Sequence, residues 1–298
     1  MPMATSSHPG ASPAIDARTT MGTVRLTASD LGRSRSFYEQ VLGLRPTESD
    51  DGAVALSAGE GPALVELHGD SAAPRLDPRA TGLFHLAVLV PSRVDLAFAL
   101  ARLAQARWPL DGASDHLVSE ALYLSDPDGN GIEIYRDRPR QEWREVDGQL
   151  QMATLPLDLR AIAAELPSTP STQTHVPDET RIGHVHLQVS ELEQTEAFYA
   201  GVLGFDVMVR GYPGALFVSA GGYHHHLGLN TWNSAGSGPP PPGSAGLRSF
   251  DVELPDKAEL ETVLARVSDA GLPVQDDLLS GGHLVRDPSG NAVVLSAR

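Results

Sequence analysis

A chain of 298 residues, 41% hydrophobic and 20% charged, is long enough to bury the cores of two ordinary domains, and its lack of cysteine removes disulfides, zinc–thiolate sites and thiol nucleophiles together. Any metal must therefore sit on His, Asp or Glu. A formal charge of -16 without clustered Lys and Arg argues against nucleic acid or an anionic membrane as partner and leaves a small molecule, while self-association into a homo-oligomer stays open.

Residues 1–20, MPMATSSHPGASPAIDARTT, lack the apolar core of a signal peptide, and no run approaches the roughly 20 apolar residues that cross a bilayer. They read as a disordered leader on a cytoplasmic protein. The first unit, residues 21–68, opens with "GTVRLTASDLGRSRSFYEQVLGL" (22–44): a strand of alternating apolar residues, a cap at Ser29-Asp30, a helix carrying FY, and a VLG stop. The second unit, 82–137, repeats strand and amphipathic helix in "GLFHLAVLVPSRVDLAFALARLAQ" and ends in "YLSDPDGNGIEIY" (123–135), two strands about a D-P-x-G-N turn. Residues 138–181 form a linker with a helical patch at "LDLRAIAAEL" and a Pro/Ser/Thr stretch after it.

The third unit, 182–232, carries "GHVHLQVSELEQTEAFYAGVLGF" (183–205), which aligns with residues 22–44 without a gap. "NSAGSGPPPPGSAG" (233–246) tolerates neither helix nor central strand and must be a loop. The fourth unit, 246–297, answers the second with "GLRSFDVELPDKAELETVLARVSDAG" and "LVRDPSGNAVVLS". The chain is thus a duplication of a pair of units, with one domain over 21–137 and a second over 182–298. Near the end of the third unit, "YHHHLGLNTW" (223–232) sets three imidazoles in a row. In an extended strand His224 and His226 point one way and His225 the other, and the plain alternative is a polar strand end wetted by solvent.

Four units of this kind, with the "SELEQTEAFYAGVLGF" and "DPDGNGIEIY" signatures, resemble the vicinal oxygen chelate superfamily over nearly all of residues 21–297. That superfamily holds glyoxalase I, the fosfomycin and bleomycin resistance proteins and the type I extradiol dioxygenases. The resemblance implies an α+β fold in which four βαβββ units form two incomplete mixed β-barrels. Matched to the extradiol pattern, the metal ligands fall on His85 of "FHLAV", Glu133 after the "DPDGN" turn, and His184 of "GHVHL". A buried glutamate there asks for a cation in its own right. Units one and four are blank, with Thr23, Ser249 and Val294 at the corresponding positions. The working barrel is therefore expected from units two and three, and a scaffold barrel from one and four. His186, two residues from His184 on the same face, is a rival ligand.

The same resemblance puts His226 at the site as general base, and His116 and Tyr123 as donors toward bound substrate. His224 is expected nearer the rim and His225 turned away, although a bulge would exchange them. Phe217, Tyr223, Asn230 and Trp232 are expected to line the pocket. The implied activity is Fe(II)-dependent ring opening of a small aromatic diol, a catechol, with both atoms of O2 inserted; Mn(II) suits the same ligands. Two alternatives stand beside it. A glyoxalase-like isomerase would enlist His226 as a fourth ligand, and a resistance-type binding protein would need no metal.

Overall fold

The computed structural model describes residues 14–47, 52–146, 149–168, 174–277 and 280–298. Residues 1–13 of the expected leader, and residues 169–173 of the Pro/Ser/Thr stretch, lie outside the described residues. The rest of the leader is a correction to the reading above. Ile15 is buried and its N–H donates to the Gly204 carbonyl at 2.8 Å, because the apolar side chain covers core at the end of the third unit's helix.

Unit one runs β1 (Thr20–Ala28), α1 (Leu31–Gln40), β2 (Arg45–Pro46), β3 (Ala53–Ser57) and β4 (Val65–Gly69). Unit two repeats the order as β5 (Gly82–Leu89), α2 (Arg93–Ala106), β6 (Gly112–Asp115), β7 (Ser119–Ser125) and β8 (Gly131–Asp137). The linker carries three short strands, β9 (Glu145–Val146), β10 (Gln149–Leu150) and β11 (Leu155–Pro156), then α3 (Leu159–Ala163). Unit three has β12 (Arg181–Gln188), α4 (Leu192–Glu196) running into a π-helical turn over Ala197–Val202, β13 (Asp206–Val209), β14 (Ala215–Ser219) and β15 (Leu227–Asn230). Unit four closes with β16 (Gly246–Leu254), α5 (Lys257–Asp269), β17 (Gln275–Asp276), β18 (His283–Arg286) and β19 (Ala292–Ala297).

Local chemistry explains the helix limits. Asp30, Ser92, Glu191 and Asp256 each accept a backbone N–H from the first turn of the helix they precede. The VLG stops end at Gly43 and Gly204, whose φ values of 80° and 92° lie in the left-handed region that glycine adopts without strain. Helix α2 lays Leu96, Ala97, Ala99 and Leu103 on the sheet beneath it.

Among the described residues the strands form two large mixed sheets. One is ordered β17-β18-β19-β16-β1-β4-β3-β2 and draws on units one and four. The other is ordered β11-β6-β7-β8-β5-β12-β15-β14-β13 and draws on units two and three, with linker strand β11 at its edge. Their seams are antiparallel pairs, β1 with β16 and β5 with β12. Each sequence half therefore contributes one unit to each sheet.

Two equivalent hydrogen bonds bind the halves internally. The hydroxyl of Tyr38 in α1 donates to Asp126 of the second unit's D-P-x-G-N turn at 3.1 Å, and that of Tyr199 donates to Asp287 of the fourth unit's turn at the same distance. Both tyrosines are fully buried, so neither hydroxyl has water as a substitute.

On the first sheet Arg25 is buried between Asp251, whose Oδ2 accepts from Nη2 at 3.1 Å, and Glu66, whose Oε2 accepts from Nε at 3.1 Å. Removing one partner strands a buried charge, so Arg25→Ala is expected to lower the unfolding free energy by about 3–5 kcal/mol. Urea melts check this, and a paired Arg25→Met, Asp251→Leu variant recovers most of the loss.

Candidate metal centre

Three neighbouring strands of the second sheet set the site. In the β5–β12 pair His85 lies opposite His186 and Ala87 opposite His184, while in the parallel β5–β8 pair Ala87 is also the partner of Glu133. Period-two alternation then puts His85, Ala87, Glu133, His184 and His186 on one face. The small Ala87 leaves the space between His184 and Glu133 open.

Into that space three donors converge. His85 Nε2 and His184 Nε2 each lie 3.0 Å from Glu133 Oε2, and 3.3 Å from one another. All three side chains are buried. Burial pushes the Glu133 carboxyl upward, but the neighbouring His184 and His85 more than reverse this and hold it well below the usual carboxylate range. Burial also pushes the His184 imidazole down, to about 4. The cluster is therefore a buried carboxylate held beside two imidazole nitrogens, three donor atoms that converge on one point. A divalent cation fits that donor set, and two histidines with one carboxylate leave coordination positions for other ligands.

The residues beside the ligands are packed to hold this geometry. Gly183 precedes His184 because the Tyr135 hydroxyl occupies its side-chain space: an added Cβ would fall 1.8 Å from that oxygen. Gly228 performs the same service for His186, whose ring a Cβ would approach to 2.8 Å. His184, not its rival His186, meets Glu133. His186 instead packs against Phe84, His85 and Trp232 in the wall of the adjoining cavity.

That cavity has a volume of about 180 Å³. Phe84, Phe217, Tyr212, Trp232, His186 and His225 form its walls, His85, Glu133, His116 and Tyr123 reach its floor, and linker residues Met152–Thr154 close it. The His116 ring is fixed at both ends, with Nδ1 2.7 Å from the Ala153 carbonyl and Nε2 2.7 Å from the Tyr123 hydroxyl. A carbonyl only accepts, so Nδ1 carries the proton; in the neutral ring Nε2 then accepts from Tyr123. Burial, reinforced by the Glu133 carboxylate, raises the Tyr123 phenol well above its ordinary value and keeps it protonated.

Of the residues expected in the pocket, Phe217 and Trp232 line it, and Tyr223, His224, Asn230 and His226 do not. The triple histidine is the main correction. It lies in an irregular bend before β15 begins at Leu227, so strand alternation does not apply to it. His225, expected to face away, enters the cavity wall with its ring 4.1 Å from that of His184. His226 is turned to the strand end, where its Nδ1 lies 3.0 Å from Ser219 Oγ and accepts from the Ala220 N–H. His224 and Tyr223 are tied to Asp137, and Asn230 is buried with its Oδ1 capping the Trp232 N–H.

Sequence reading also missed Phe84, Tyr212 and the linker segment. Alternation sends Phe84 away from His85, but the β5–β12 register skips Phe84 at an irregularity and brings both to the cavity. Among the described residues no helix is long and apolar enough to cross a membrane.

Comparison with known proteins agrees with this architecture. A family model described as the Glyoxalase/Bleomycin resistance protein/Dioxygenase superfamily matches the chain twice, over residues 20–134 and 181–295. The catechol-2,3-dioxygenase of Bacillus subtilis (strain 168) is 43% identical over 280 residues, covering 93% of this chain and 96% of that protein. Two solved structures share the fold. One, from Bacillus subtilis subsp. subtilis str. 168 and provisionally named a dioxygenase, aligns with a TM-score of 0.63 at 14% identity, over 96% of this chain and 86% of the other. Glyoxalase I from Zea mays aligns with a TM-score of 0.56 at 18% identity, over 93% and 92%.

The donor geometry leads to a direct expectation. The protein binds one divalent ion per chain, Glu133→Gln loses it, and Gly183→Ala, which displaces Tyr135 against His184, weakens binding about tenfold or more. Elemental analysis after dialysis and titration calorimetry read the two effects.

Proposed function

The chain belongs to the glyoxalase/bleomycin resistance protein/dioxygenase superfamily, and within it we propose an extradiol dioxygenase that opens the ring of a catechol beside its two hydroxyls, using Fe(II) and O2. The observation that carries this reading is the buried His85–Glu133–His184 set at the floor of an aromatic-walled cavity. The 43% identity to a catechol-2,3-dioxygenase over almost the whole chain supports it. A cavity of about 180 Å³ suits one aromatic ring, since about 150 Å³ already holds benzene.

His85, His184 and Glu133 are the residues that hold the metal in this reading. When bound there, Fe(II) supplies a Lewis acid that lowers the pKa of a chelated diol and offers positions for both reactants. Mn(II) takes the same donors.

The chain's own side chains supply the rest. Phe84, Phe217 and Trp232 pack on the substrate ring and orient it, while Met152–Thr154 keep water from the floor. His225, at the wall beside His184, takes the role of general base for the second hydroxyl, the role that the family resemblance implies for His226. Tyr123 is a protonated phenol whose one proton rests on His116 Nε2 and can swing to negative charge that develops on the substrate, His116 holding it until then.

A four-ligand isomerase would need His226 at the metal. Its Nδ1 is already engaged by Ser219 and Ala220 and its ring does not line the cavity, which counts against that arrangement. A metal-free binding protein leaves the buried Glu133 without a purpose that would offset the cost of burying it.

Oxygen uptake tests the proposal. Fe(II)-loaded protein given catechol is expected to consume about one O2 per ring with a yellow ring-opened product, and His85→Ala and Glu133→Gln to lose both. Metal bound at full occupancy with no uptake across substituted catechols would overturn it.

A further inference from the structure

His225 is the inner end of a hydrogen-bonded chain that leads out of the cavity. Its Nδ1 lies 2.8 Å from His224 Nδ1, and His224 Nε2 lies 2.9 Å from Asp137 Oδ1. Asp137 ends β8, four positions beyond Glu133, and its side chain is 25% exposed. His224 is wholly buried, so no water substitutes for either of its partners. The same carboxylate accepts from the Tyr223 hydroxyl at 3.0 Å, and the Tyr223 oxygen lies 2.7 Å from the Tyr135 hydroxyl.

Proton counting fixes the direction of this chain. The Asp137 carboxylate can only accept, so His224 carries its proton on Nε2. With the one ring proton of His224 placed on Nε2 by Asp137, its Nδ1 is bare, and the contact between the two Nδ1 atoms is then a hydrogen bond that His225 donates. His225 is left with Nε2 as its bare nitrogen. Since Nδ1 is turned to His224 and the ring lines the cavity, Nε2 is the nitrogen left to the cavity.

We propose that Asp137 and His224 are positioning residues that lock His225 as its Nδ1–H tautomer and thereby make its Nε2 the proton acceptor of the site. This rests on the ring-cleavage reading for its substrate, but the tautomer itself does not. In the step it serves, a hydroxyl O–H bond of the diol breaks, its electron pair stays on oxygen, and the proton forms an N–H bond at His225 Nε2. The charge that appears on His225 is delocalised toward His224 and met by Asp137 through the intervening ring. The triple histidine has two linked uses: one ring faces the substrate and the next orients it.

The test reads protonation of ring nitrogens directly. In the full chain labelled with ¹⁵N-histidine, metal-free and again loaded with Zn(II), a two-bond ¹⁵N–¹H correlation spectrum is recorded, and His225 is assigned by its loss in His225→Gln. His225 with Nδ1 protonated and Nε2 bare supports the proposal; Nε2 protonated in the unaltered protein overturns it, and this measurement needs no variant to fold. In Asp137→Asn the amide donates to His224 Nε2, the proton of His224 moves to Nδ1, and His225 is forced to the opposite tautomer. The Fe(II)-loaded variant is then expected to lose about 10²-fold or more in kcat with KM for catechol within about threefold. Tyr223→Phe removes the other hydrogen bond to Asp137 and is expected to keep the His225 signature, which separates orientation from support of the carboxylate. An Asp137→Asn protein with unchanged tautomer and unchanged kcat overturns the proposal. If the unaltered protein shows the tautomer but takes up no oxygen with any catechol, the ring-cleavage reading fails and the tautomer assignment stands.

Discussion

The buried carboxylate of Glu133 is the constraint to which the rest of the second sheet answers. An ionised group removed from water costs several kcal/mol unless charge or hydrogen bonds meet it, and the two nearest side chains are the imidazoles of His85 and His184, the second pushed down by burial to about 4. The first sheet faces the related problem and solves it within the protein. In the β1–β4 pair Arg25 lies opposite Glu66, and in the equivalent β12–β15 pair His186 lies opposite Gly228. At one register position of a duplicated fold, one barrel holds a closed ion pair and the other holds a ring packed over a glycine. The first has its own cation, Arg25, which Asp251 meets as a second partner. In the second barrel the buried Glu133 carboxylate has imidazoles as its partners, a donor set that suits a cation.

The duplication also explains how a site drawn from both halves of the chain stays assembled. His85 and Glu133 come from the first half and His184 from the second, joined across the β5–β12 seam. Because β1 and β16 make the same kind of seam in the other sheet, the two halves are paired along two sheets at once. The Tyr38–Asp126 and Tyr199–Asp287 bonds then tie each half internally from one sheet to the other. Sliding one half against the other would break both seams together, so the ligand atoms are fixed by pairings far from the cavity.

Much of this is legible in sequence because it depends on local pattern. The strand alternation of "GHVHL" and "FHLAV", the acidic caps and the D-P-x-G-N turns each specify an element without help from tertiary structure. Such regular elements let the extradiol pattern be laid on the chain position by position, which is how the resemblance assigns His85, Glu133 and His184. The errors occur where backbone regularity lapses. The triple histidine precedes β15 in a bend, so alternation gave the wrong ring to the cavity; Phe84 sits at a register irregularity and joins His85 instead of opposing it. Met152–Thr154 carry no motif, and they reach the cavity through the pairing of β11 with β6, a contact that leaves no periodic signal in the chain.

Two imidazoles at the cavity follow one rule of orientation. His116 directs Nδ1–H to the Ala153 carbonyl and His225 directs Nδ1–H, in the chain of bonds proposed above, to His224; both turn Nε2 inward. Their inner nitrogens differ in what they meet. That of His116 is already occupied by the Tyr123 hydroxyl, whereas that of His225 is free to receive a proton. A diol bound between them would meet a phenol on one side, whose proton can swing from His116 to the substrate, and a bare imidazole nitrogen on the other, so a proton lost from one oxygen has a defined destination. Chemistry at the floor then needs no side chain to change its charge before substrate arrives, because the tautomers are set in advance by a backbone carbonyl and an aspartate outside the cavity.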